Sequence, residues 1–140
     1  MAKFIILSLL AILISLTMMV FVGRSFSTIP KRLSGVYILK EMHKSRKAYY
    51  VNHKRDSETF EDIGWSESNL RDVLYTYYFN NDRIYHPSVV PFYFPSNIKR
   101  ENGIIYAIGK IIFDSNFDIL AINDKGEIIV IQAAAWWLPY

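Results

Sequence analysis

Hydrophobic positions change their spacing several times along this chain, and each change predicts a different element. The first stretch, Phe4 to Gly23 (FIILSLLAILISLTMMVFVG), is apolar all round. It carries no charge, and its only polar side chains are Ser8, Ser15 and Thr17. As a helix it is roughly 30 Å long, matching the hydrocarbon core of a bilayer. A hydroxyl in such a helix bonds back to the carbonyl one turn earlier, so these three residues do not oppose insertion. A cleaved leader has a shorter apolar region and a small-x-small site. Here the only such pair is Ser25 and Ser27, beyond the charged Arg24. The expectation is an uncleaved membrane anchor over residues 1–24, followed by a polar linker over 25–32 that Pro30 closes.

The pattern then shortens to period two. Val36, Ile38 and Lys40 alternate with Tyr37, Leu39 and Glu41, and Tyr49 and Val51 with Tyr50 and Asn52. β-Branched and aromatic content supports extended structure. Two strands are predicted, Leu33 to Met42 and Ala48 to His53, joined into a hairpin by the basic turn His43–Lys47. After a polar stretch with Phe60 and Ile63 as apolar anchors, the period becomes helical. Leu70, Val73, Leu74, Tyr77 and Tyr78 fall on one helix face, Ser66 can cap, and Asn80 and Asn81 tolerate the left-handed conformation of a helix end. This predicts a helix over Ser66 to Phe79.

Asp82 to Arg100 has no period. Pro87, Pro91 and Pro95 are interleaved with Val89, Val90, Phe92, Tyr93 and Phe94. Prolines at that spacing forbid a helix and a central strand. The end of the chain returns to strands: Gly103 to Phe113, Phe117 to Asn123 and Glu127 to Ala135. The turn Asn123-Asp124-Lys125-Gly126 fits a hairpin loop with Gly126 at positive φ, so an antiparallel meander is expected. These strands are apolar on both faces and need two covers. The sequence offers one amphipathic helix. The second cover falls to the Pro-aromatic segment, the first hairpin, another subunit or a partner. The expected fold is therefore α+β: a single N-terminal transmembrane helix, then one small antiparallel-sheet domain over 33–140 with one main packed helix. Leu70, Val73, Leu74, Ile105, Ile111, Ile119, Ile129 and Ile131 are the expected core.

Charge adds an asymmetry that the net value of +3 hides. Between Arg24 and Arg55 every charged residue but Glu41 is basic; from Asp56 onward acids outnumber bases about two to one. A basic segment beside an anchor suits anionic headgroups. Lys44, Arg46, Lys47, Lys54 and Arg55 form the candidate lipid or anion patch, and Tyr49 and Tyr50 beside them give a nucleic-acid alternative through base stacking. Orientation signals conflict: bases after the anchor favour a cytoplasmic domain, whereas the short Lys-containing start favours export. The reading leans to export.

Specific chemistry is sparse. The chain has no cysteine, which excludes disulfides, thiol catalysis and thiolate metal sites. His43, His53 and His86 lack a second ligand at helix or strand spacing, and no phosphate loop or nucleophile elbow is present. Glu58, Glu61 and Asp62 read as a solvated acidic face. No cofactor or metal is implied, and an enzyme is the third reading. The leading expectation is a membrane-anchored, non-catalytic interaction or accessory domain of the kind found in secretion, conjugation, immunity or exclusion systems. That comparison is one of architecture alone. Its partner would be a protein or a second copy, and nucleic acid is the lesser choice. The surplus of aromatics on irregular backbone names the candidate surface: Phe92, Tyr93, Phe94, Trp136, Trp137 and Tyr140.

Overall fold

The computed structural model describes residues 2–111 and 116–134; within the first helix the side chains of 2–4, 21 and 23–27 are outside the description. One α-helix is present among the described residues. It is α1, Ala2–His53, 52 residues long with Pro30 inside it. It is followed by β1 (Tyr75–Phe79), β2 (Asp82–Ile84), β3 (Ile105–Gly109), β4 (Asp118–Ile122) and β5 (Ile128–Gln132). The strands form one antiparallel sheet in the order β2-β1-β3-β4-β5. The α+β class and the meander β3-β4-β5 are as expected, and Gly126 does take a positive φ of 83° in the last turn.

The predicted first hairpin is a correction. Residues 33–42 and 48–53, and the turn between them, are all helical, and the segment 25–32 continues the same helix. A spacing of four and three explains why. Thr28, Arg32, Gly35, Leu39, Met42 and Tyr49 are buried on one stripe, with Arg46 half-buried between the last two. Burial of that stripe against the sheet outweighs the weak extended preference of Val, Ile and Tyr, which is a matter of tenths of a kcal/mol per residue. Pro30 removes one backbone donor, and the packing that follows holds the helix across it. Lys54, at φ 56°, ends it, its amide bonded to the Tyr50 carbonyl at 2.8 Å.

The predicted helix over Ser66–Phe79 is also overturned. Ser66 and Asn69 fold the chain locally instead: the Ser66 amide donates to Asn69 Oδ1 (2.9 Å), and Asn69 Nδ2 donates to the Gly64 carbonyl (2.8 Å). Such side-chain bonds compete with helix formation. Tyr75-Thr-Tyr-Tyr-Phe79 then runs as a central strand buried on both faces. Asn80, with φ 50°, serves the β1–β2 turn rather than a helix end.

Both sheet faces are covered within the chain. On one, Tyr75, Tyr77, Phe79, Ile105, Ala107, Leu120 and Ile122 pack against Leu39, Met42 and Tyr49 of α1 and against Phe60, Ile63 and Leu70. On the other, Tyr78, Tyr106, Ile108, Ile119 and Ala121 are covered by Phe92, Phe94, Ile98 and Ile104. Of the expected core, Leu70, Ile105, Ile111 and Ile119 are buried, Leu74 is half-buried, and Val73, Ile129 and Ile131 are exposed. On β5 it is Ile128 and Val130 that face the α1 side. Among the described residues no helix is long and apolar enough to cross a membrane. The expected transmembrane helix is thus not supported by these residues.

The packing sets a stability test. Leu39→Ala is expected to cost about 2–5 kcal/mol in urea unfolding, the usual range for a buried leucine, because Leu39 is fully buried between α1 and the sheet. Val73→Ala should cost under about 1 kcal/mol, because Val73 is exposed.

Candidate functional site

Three places among the described residues hold the predicted site residues or the buried charges: a seam beneath α1, the flap over the far sheet face, and the outer side and end of α1. The seam begins with Arg32, which the 4-3 spacing turns inward. Its Nη2 lies 3.1 Å from Asp118 Oδ1, both side chains being almost fully buried. Asp118 also accepts from the Tyr75 hydroxyl (2.8 Å) and the Ala134 amide (3.1 Å). Next to it the Tyr77 hydroxyl donates to Asp72 Oδ2 (2.5 Å), and the Leu74 amide to Asp72 Oδ1 (2.9 Å). Burial, with the nearby carboxylates, pushes both tyrosine hydroxyls far above their ordinary range, so they act as donors. Burial also raises Asp72, against the pull of these hydrogen bonds. The seam is a connected network that ties helix to sheet, because losing one member would strand a buried charge.

The flap is the Pro-aromatic segment. The Tyr78 hydroxyl donates to the Phe92 carbonyl (2.6 Å), and the Phe92 amide to Thr76 Oγ1 (2.8 Å). Phe94 stands edge-on to Tyr78 and Tyr106, at centroid distances of 5.4 and 5.1 Å. Arg100 lies over Tyr78 and Phe94. Phe92 and Phe94 thus face inward as a lid, whereas Tyr93 between them is 76 % exposed and Val90 81 %. Arg83 reaches the outer rings of Tyr85 and Tyr93. Of the predicted aromatic surface, Tyr93 is on the outside, Phe92 and Phe94 are half-buried, and Trp136, Trp137 and Tyr140 lie outside the described residues.

The predicted basic patch is divided. Arg46 turns towards the sheet, donating to the Gly103 carbonyl and lying over the Phe79 ring. Arg55 donates to the Tyr49 hydroxyl (3.1 Å) and covers its ring. Lys44 meets Glu41 at 2.6 Å, raising the lysine above its ordinary value. Lys47 and Lys54 are exposed. Arg46 therefore serves the fold, whereas Arg55 is exposed with the three lysines on the outside of α1 and its end.

The histidines are scattered. His53 stacks on Tyr49, and His86 Nδ1 meets Ser88 Oγ at 2.6 Å. The Ser88 amide also donates to that nitrogen (3.2 Å), which makes it the acceptor of a local turn. No group of three metal-ligating side chains occurs among the described residues. His43 is buried with neither ring nitrogen hydrogen-bonded, and its ring lies against Gly126, where an added Cβ would come within 2.9 Å of Nε2. It lines a cleft of about 260 Å³ between α1 and the β4–β5 turn. No protein-family model matches the chain, and no characterised protein or solved structure matches it significantly.

The seam was missed in the sequence because Arg32 and Thr28 look like linker polarity. The signal that finds them is their place on the stripe with Leu39 and Met42. His43 carries a pH prediction. Burial first, then Lys47 and Arg46, depress its pKa, with Asp124 opposing. A depressed histidine binds its proton less well folded than unfolded. Stability should therefore fall as pH drops below about 6.5, the free-imidazole value. Replacing His43 by Gln should flatten the urea midpoint between pH 7 and pH 5; an unchanged slope would assign the loss to other groups.

Proposed function

We propose that this chain is a membrane-anchored, non-catalytic interaction domain whose partner surface includes the outer side of the flap. The observation that carries the anchoring is the state of α1 before the sheet. Its apolar side chains between Ile5 and Val20 are exposed on every side, Ile5 by 57 % and Met19 by 77 %, with no protein over them. A helix apolar all round needs a nonaqueous cover. Its hydroxyls are already satisfied: Ser15 Oγ donates to the Ala11 carbonyl (2.9 Å), and Thr17 Oγ1 to those of Leu13 and Ile14. Lipid asks for that self-sufficiency. The uncharged run Phe4 to Gly23 has the length of a span. The contact role is supported by Tyr93 and Val90, large side chains held outward on a braced loop.

Alkaline carbonate extraction tests the anchor. The full chain is expected in the membrane pellet, and Leu10→Glu with Ile14→Glu should move it to the supernatant. Native protein in the soluble fraction would overturn the anchor. The surface is tested in detergent-extracted protein. Tyr93→Ala should remove a co-purifying partner while melting stays unchanged, whereas Phe94→Ala, on the inner side, should lower melting. If Tyr93→Ala also destabilises and co-purification falls only in proportion, the flap is a lid alone.

A further inference from the structure

We propose that the outer face of α1, beyond its apolar stretch, is a docking face for an acidic amphipathic helix of a partner protein. Leu33, Tyr37, Lys40, Lys44, Lys47 and Val51 repeat at the same four-three spacing as the buried stripe, on the opposite side of the helix, and all six are exposed. Tyr37 alone is 63 % open to solvent, and Lys44 71 % along its side chain. The pattern is amphipathic along the axis rather than around it. Apolar residues stand at the two ends and three lysines between them. Glu41 is the sole acid of α1, and it pairs with Lys44.

At the far end of this face the cleft beside His43 adds a seat. Tyr50 and Val51 wall it, Lys47 stands at its rim, and its volume of about 260 Å³ accepts one large apolar side chain. Arg46, Asp56 and Asp124 also line it. Carboxylates of a partner are therefore directed to Lys40, Lys44 and Lys47, and its apolar anchor to the cleft. Aromatic or aliphatic anchors in pockets, with charges setting register, are the usual division of labour at interfaces.

Charge selects this occupant over two others. A second copy held in parallel would set each lysine against its own counterpart, a like-charge arrangement that interfaces avoid. A lipid surface is too distant along the axis. Lys44 lies roughly 30 Å along the helix from Gly23, against a screening length of about 10 Å at moderate salt.

The test uses the full chain in phosphatidylcholine nanodiscs and two synthetic helical peptides. Both peptides carry a leucine face; one has glutamates where the other has glutamines. Fluorescence anisotropy should show the glutamate peptide binding at least about tenfold tighter at low salt, the margin shrinking as salt rises. Lys40→Glu, Lys44→Glu and Lys47→Glu together should abolish that margin. Tyr50→Ser with Val51→Ser should weaken both peptides alike. Equal binding of the two peptides, or a margin that survives the triple change, overturns the proposal. Should the triple change lower melting, the three Lys→Gln changes replace it with the same expected loss. Nanodiscs containing phosphatidylglycerol should leave the margin intact; its disappearance there assigns the lysines to lipid and overturns the protein docking face. This surface is separate from the flap, and carbonate extraction of the same variants reports on anchoring alone, so either reading can fail without the other.

Discussion

Everything in this fold depends on the seating of Tyr75 between two glycines. An added Cβ on Gly35 of α1 would come within 2.8 Å of the tyrosine ring, and one on Gly109 of β3 within 2.7 Å of it. The ring fills the space that both glycines leave, and its hydroxyl reaches Asp118, where Arg32 also arrives. Helix, central strand and β4 are thereby tied at one point. A buried ion pair is a weak source of net stability, and its value is specificity. Here it fixes which turn of a 52-residue helix sits over the sheet. An apolar stripe alone could slip by a turn with modest loss, but slippage would leave Arg32 and Asp118 buried and unpaired.

The meander was legible because its signals are local. The short apolar run Ile105 to Ile108, the Asn123–Gly126 turn and Ile119 to Ile122 each state the strand and its end within a few residues. The segment Asp82 to Arg100, expected to be irregular throughout, opens instead with the edge strand β2 (Asp82–Ile84); beyond it the flap was legible as a non-element because its three prolines exclude regular structure. Its role as the second cover was one of several options in the sequence, because only the tertiary placement of Phe92 and Phe94 against Tyr78 and Tyr106 decides it.

The helix was illegible beyond its apolar start because two patterns overlap there. Val36 to Glu41 satisfies period two over six residues, while Arg32, Gly35, Leu39 and Met42 satisfy a 3.6 period over a longer window. The longer pattern includes an arginine and a glycine at buried positions, which a hydrophobicity count scores as surface. In the opposite direction, Leu70, Val73, Leu74 and Tyr77 meet a helical spacing that the Ser66–Asn69 turn and the tyrosine-rich strand override. Of the candidate surface, exposure of Tyr93 followed from its place between two inward-facing phenylalanines, an alternation that irregular backbone does not announce.

The continuity of α1 has a geometric consequence. No break in secondary structure separates its apolar end from the turn that carries Arg32. Each residue of an α-helix advances the azimuth by about 100° and the axis by about 1.5 Å. Whatever grips the apolar end therefore sets the compass bearing of the sheet as well as its height. Lengthening the intervening turns by one residue would swing the flap to another bearing, whereas seven residues would restore the bearing to within about 20° and change only the height. The helix is a phase-keeping shaft, and the length of that segment is a coordinate of the protein's orientation rather than slack between two parts.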